Sequence, residues 1–129
     1  MDAAIGGVLA QRHLDSTGPV LLFEAALQTE LTGICLTNIT DSAVMVDVSL
    51  LPPATTPGAT QTPGDEHIIW RQNAGSNSTS VRAPNALGLG YTLAPFEQIY
   101  VDAATADAIT AAAFGVTPNI APTTLARGT

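Results

Sequence analysis

The residues best suited to chemistry in this 129-residue chain are Asp65, Glu66 and His67, its one compact acid/histidine cluster. Carboxylate oxygens beside an imidazole nitrogen could ligate a metal. Consecutive side chains of an extended segment point to opposite faces, however, so the three do not converge and read as the solvated end of a loop. Asp102 and Asp107 could cap a calcium loop, yet they lack the dense oxygen-ligand spacing that such a loop needs. His13 has no evident partner and reads as a surface residue. Cys35 is the only cysteine, so no internal disulfide forms. Within GICLTN it reads as a small apolar filler of a strand, because a reactive thiolate wants a nearby base and positive surroundings. No serine stands in a G-x-S-x-G elbow, and GLGYTL from Gly88 lacks the glycine spacing and the following helix of a phosphate loop. Asn38-Ile39-Thr40 and Asn77-Ser78-Thr79 match the glycosylation sequon, but no secretion signal accompanies them. Trp70, Tyr91, Phe96 and Tyr100 could stack on sugars, although aromatics so dispersed more often fill cores or subunit contacts. The sequence therefore assigns no catalytic, cofactor-binding or metal-ligating residue, and the expected function is non-enzymatic.

Composition narrows the partners. There is no lysine, and Arg12, Arg71, Arg82 and Arg127 face eleven carboxylates, for a formal net charge of -7. Binding a nucleic-acid duplex calls for several phosphate-neutralising cations on one face, which this chain does not supply. No apolar run approaches the roughly 18 to 20 residues that span a bilayer. The opening MDAAIGGVLAQRH has Asp2 where a secretory signal carries positive charge, so synthesis in a cytoplasm is expected.

The elements that would position these residues are strands. Val44, Val46, Val48 and Leu50 alternate with Ala43, Met45, Asp47 and Ser49, the period of a half-buried strand. With Leu31 to Asn38 and the polar connection Ile39 to Ser42, that strand predicts a β-hairpin, since Asn and Asp bond their own main chain in turns. Pro19 to Ala26 is apolar on both faces and should be covered on both. Further strands are expected at His67 to Gln72, Ser78 to Arg82, Gly90 to Leu93, Gln98 to Ala103 and Ala108 to Val116. The last, AITAAAFGV, has helical propensity but is read as a strand because Ile109, Ala111 and Ala113 alternate with Thr110, Ala112 and Phe114. Residues 52 to 66, with four prolines and two glycines, must cross the surface as a long loop. Residues 1 to 18 read as an N-terminal arm with a short helix around Val8 to Leu14, and residues 118 to 129 as an extended tail. Seven or eight short strands separated by turn signals give an all-β domain over residues 19 to 117, an antiparallel β-sandwich or jelly roll.

The succession GICLTNITDSAVMVDVSLLPP, a Pro/Gly/Thr loop, HIIWRQNAGSNSTSV and LGLGYTLAPFEQIYVDAATADAITAAAFGV resembles a family of small structural proteins of tailed-bacteriophage virions. In that family a T-N-T, polar-turn and alternating-valine unit precedes an A-G-x-T/S turn and a G-x-x-L-x-P-G-D-x-I segment that leads to an Ala/Thr-rich strand ending in G-V. The resemblance covers residues 30 to 117. It departs at Pro95-Phe96-Glu97-Gln98, where Pro-Gly-Asp would be expected, so the tight glycine turn is replaced. It implies a virion component of the tail, tail tip, neck or fibre, with capsid decoration or cement and receptor or carbohydrate binding as alternatives. The implied partners are further copies of the chain, as trimer or hexamer, and other virion proteins reached through the arms, with neither nucleic acid nor membrane bound and no cofactor.

Overall fold

A computed structural model describes residues 4–74, 78–82 and 91–118. Nine strands run β1 Ala4–Leu14, β2 Gly18–Glu24, β3 Thr29–Asn38, β4 Val44–Leu51, β5 Ile68–Ala74, β6 Ser78–Arg82, β7 Tyr91–Leu93, β8 Gln98–Ala103 and β9 Ile109–Pro118. The sole helical feature among the described residues is a single 3-10 turn at Asp65–His67, and no helix is long and apolar enough to cross a membrane. All pairings are antiparallel. The first sheet has the order β1-β9-β3-β6, with β7 sharing the free edge of β3, and the second has the order β2-β8-β4-β5.

Setting the short β7 aside, the first strand pairs with the last, the second with the second-last, the third with the third-last, and the middle two with each other. That is one long antiparallel hairpin rolled up on itself, the jelly-roll form of a β-sandwich. Rolling creates the two remaining contacts, β3 with β9 and β4 with β8.

The space between the sheets is filled by Leu14, Leu31, Ile34, Leu36, Ile109, Ala111 and Ala113 from one side and by Leu22, Val44, Val46, Val48, Ile99, Val101 and Ala103 from the other. The alternation expected on β4 holds for Val44, Val46 and Val48, which are buried. Leu50 continues it, half-buried against the same core opposite Ile99, while Ser49 stays on the outer face; the bulge at Val48–Trp70 and Ser49–Ile68 puts its extra residue in β5 and leaves the phase of β4 unchanged. Small alanines on β9 let the sheets approach, and Gly115 lets β3 approach closely. A Cβ at Gly115 would run into the Glu30 carbonyl oxygen and stand 2.8 Å from Leu9 Cδ1.

Three sequence expectations are corrected. The segment expected as a short helix within an arm is β1, paired with β9 from Ala4↔Pro118 to Leu14↔Ile109. Its turn-forming Ser16 and Thr17 connect β1 to β2, which Gly18 opens, and its Leu14 is buried in the sandwich with Leu9 and Ala10 packed against the core. The predicted hairpin is an arch, since β3 and β4 lie in different sheets and share no ladder. Both hairpin and arch bury one face of each strand, so the pattern is the same for the two. Asn38 still makes the turn bonds expected of it: its Nδ2 donates to the Ser42 carbonyl at 2.8 Å, and its Oδ1 accepts from Thr40 N–H at 2.9 Å and Thr40 Oγ1 at 2.7 Å. Lastly, the apolar run of β2 is not a simple two-faced strand: a bulge between Leu21 and Phe23 turns Leu22 and Phe23 both inward, while Leu21 stands on the outer face. The strand expected at Ala108 to Val116 is present as β9, and beyond Pro118 the expected tail lies outside the described residues.

Candidate binding cleft on the outer face of the second sheet

The outer face of the second sheet is built in cross-strand rows. Pro19, Asp102, Asp47 and Arg71 are Cα partners in succession, and beside them run Leu21, Tyr100, Ser49 and Ile68. Period 2 on β8 makes this possible: Ile99, Val101 and Ala103 take the core, leaving Gln98, Tyr100 and Asp102 outside.

That outer side is covered by the Pro-rich connection between β4 and β5. Buried Gln98 donates through Nε2 to Glu24 Oε2 at 2.9 Å and to the Ala59 carbonyl at 2.8 Å, while its Oε1 accepts from Gln61 Nε2 at 2.9 Å and Tyr100 OH at 2.7 Å. The Tyr100 oxygen accepts the Gln61 backbone N–H at 2.7 Å, and Glu24 Oε2 accepts that of Gly58 at 2.9 Å. A loop whose prolines cannot join a sheet ladder is thereby strapped to the sheet by side chains. Polar Gln98 and aromatic Tyr100, two apart on one strand, were the sequence signal for this strap.

Where the strap ends, Pro63, Gly64 and Asp65 form one wall of an open cleft of about 350 Å³, solvent at its mouth included, whose floor is Ser49 and Tyr100. Asp47, Asp65 and Asp102 line it. Asp47 is held by Arg71 in a two-pronged pair, Nε to Oδ1 at 2.6 Å and Nη2 to Oδ2 at 3.0 Å, which raises the Arg71 pKa. Burial and then the facing Asp47 carboxylate raise the Asp102 pKa, against a hydrogen bond from the Gly18 backbone and the charge of Arg71. Ser49 is only 4% exposed, and its hydroxyl has no hydrogen-bond partner among the described residues.

Of the acid/histidine cluster singled out in the sequence, Asp65 alone enters the cleft. His67 turns its Nδ1 to accept the Gly64 N–H at 2.9 Å, and Glu66 lies 3.9 Å from His67 Nε2 on an exposed turn. Asp102 faces the cleft, whereas Asp107 stands at the β8–β9 connection, so the two are not brought together. His13, expected to lack a partner, bonds Thr110 Oγ1 through Nδ1 at 3.0 Å and lies 3.5 Å from Asp107 through Nε2. Among the described residues no three His, Cys, Asp or Glu side chains gather as metal ligands. Cys35 is a half-buried free thiol on β3. Tyr100 is buried under the strap, Trp70 packs against the core, and Phe96 is exposed; the side chain of Tyr91 lies outside the described residues. Comparison with protein-family models, characterised proteins and solved structures gives no match for this chain.

Proposed function

We propose that this chain is a non-enzymatic structural subunit of a tailed-bacteriophage virion, a tail, tail-tip, neck or fibre-associated protein that assembles with copies of itself. The observation that carries the reading is the open edge of a jelly roll, an architecture common in virus shells and in lectins. Fold alone argues by analogy. What this chain adds is β1, an eleven-residue edge strand of the first sheet whose only ionisable residues are turned back into its own fold. Arg12 donates to the Leu21 carbonyl of the opposite sheet at 3.1 Å, and His13 is engaged by Thr110. Neither guards the edge, whose unpaired N–H and C=O groups are a template for another chain, and Val8 beside them is 58% exposed. The burial of Tyr100 and the packing of half-buried Trp70 against the core favour this reading over a sugar-stacking platform.

Multi-angle light scattering of the purified protein should give a multiple of the chain mass, with Val8→Lys shifting the population towards monomer. A compact monomer at micromolar concentration would overturn self-assembly. Reconstitution with separated tails and capsids then distinguishes a tail or neck part from a capsid decoration or cement protein.

A further inference from the structure

The cleft beside the strap has more negative charge than its own fold neutralises. Asp47 and Asp102 face each other directly across the β4–β8 ladder, where like charges destabilise a sheet. Arg71 pairs directly with Asp47 and reaches Asp102 and Asp65 only through its charge; Asp102 has one hydrogen bond, from the Gly18 backbone, and no hydrogen-bond partner is seen for the Asp65 carboxylate among the described residues. Independently, the Ser49 hydroxyl is buried without a partner at the floor. A buried hydroxyl left unbonded is costly, and in a built site it marks where a ligand group belongs. The arrangement thus offers two carboxylates and one hydroxyl, all acceptors, beneath the apolar rim of Pro63 and Ile68.

Three acceptors match the three donors of an alkylammonium, and an apolar rim suits the methylene stem behind it. A divalent metal fits less well, because it wants a close set of oxygen ligands and no such group of carboxylates is present among the described residues. We propose that this cleft binds the side-chain ammonium of a lysine from a different protein, with Asp102, Asp65 and Ser49 accepting its three hydrogen bonds. The chain has no lysine of its own, so the ligand comes from a partner of another sequence.

The test is titration of the full-length, isotopically labelled protein with Nα-acetyl-lysine methylamide, its arginine counterpart and calcium chloride, followed by amide chemical shifts. The lysine compound should move the resonances of Ser49, Asp65 and Asp102 at millimolar concentration and more strongly than either alternative. Asp102→Asn keeps the shape, removes the charge and should weaken binding about tenfold, since a hydrogen bond to a charged group is at stake. Ser49→Ala should weaken it several-fold. Glu30→Gln, an equal loss of charge on the exposed part of β3, should change nothing. A larger response to calcium or to the arginine compound, shifts outside the cleft, or equal loss in Glu30→Gln and Asp102→Asn would each overturn the proposal.

Discussion

Phe96 stands where a glycine would be the natural choice. Its φ of 70° is left-handed, a conformation that costs a bulky residue about 1 to 2 kcal/mol, and it follows Pro95 in a turn closed by Glu97 N–H to the Ala94 carbonyl at 3.1 Å. The sequence departs here from the Pro-Gly-Asp pattern, yet the turn keeps the geometry that glycine would have served. Phe96 is also 38% exposed, so the surface that it does bury offsets part of the strain. Phe96→Gly should raise stability by up to about 1 kcal/mol in chemical denaturation; a loss of that size would show that the ring has contacts worth more than the strain. Asp102 has its own signature. Its raised pKa means that the folded state holds the proton more tightly than the unfolded chain, so this contribution is present below the ordinary carboxylate range and is lost as pH rises through the shifted value. Asp102→Asn should therefore melt at the same temperature as the parent near pH 3 and higher near pH 7, by no more than about 4 °C given its partial exposure. A gain at acid pH alone would contradict the assigned cause.

At the level of elements, β4 gives the clearest contrast between neighbours. Val46 has no exposure, and Val46→Asp would place an unpaired charge in the core, a loss of at least about 3 kcal/mol that should leave no soluble folded protein. Asp47→Ser removes a partly exposed ion pair with Arg71 and relieves repulsion on Asp102, so its cost in a denaturation curve should stay below about 1 kcal/mol. Periodicity made β4 legible because inward valines and outward polar residues differ in kind. It failed for β1, where Gly6, Gly7 and a bulge between Val8 and Ala10 blur the period of 2, and where no polar face marks the outside. It could not separate arch from hairpin at Asn38 to Ser42, because partner choice depends on the whole set of strands. Deleting Met1 to Ser16 would take away a strand paired along β9 and uncover the core beside Leu14. The truncated protein should lose cooperative unfolding in a thermal melt; an unchanged transition would mean that β1 contributes only an appendage.

For the whole molecule, composition and strand spacing were enough to read a β-sandwich, since turn residues at short intervals leave no room for helical crossovers. The cleft was not legible. Asp47 and Ser49 on β4, Asp102 on β8 and Asp65 in the 3-10 turn are far apart along the chain: the β4–β8 register sets the first three in adjacent rows, and the end of the strap brings Asp65 to them. If β1 edges pair between copies, folding and association are linked, and the melting temperature should rise with protein concentration. A melting temperature constant over a hundredfold range of concentration would separate the fold from any assembly.

The rolled-hairpin order also sets a timetable. The strands that fill the centres of the two sheets, β8 and β9, are the last to be synthesised, while β1 and β3, and likewise β2 and β4, must wait for the strand that joins them. A nascent chain that has emerged only as far as the long Pro-rich connection carries several apolar strands with unpaired edges and no sheet to enter. Such distant pairings close slowly, and the waiting species is prone to aggregate. Synthesis of this small protein in quantity would then place its heaviest demand on chaperones before the chain is complete, and premature termination upstream of β9 would release insoluble fragments in place of a smaller folded domain.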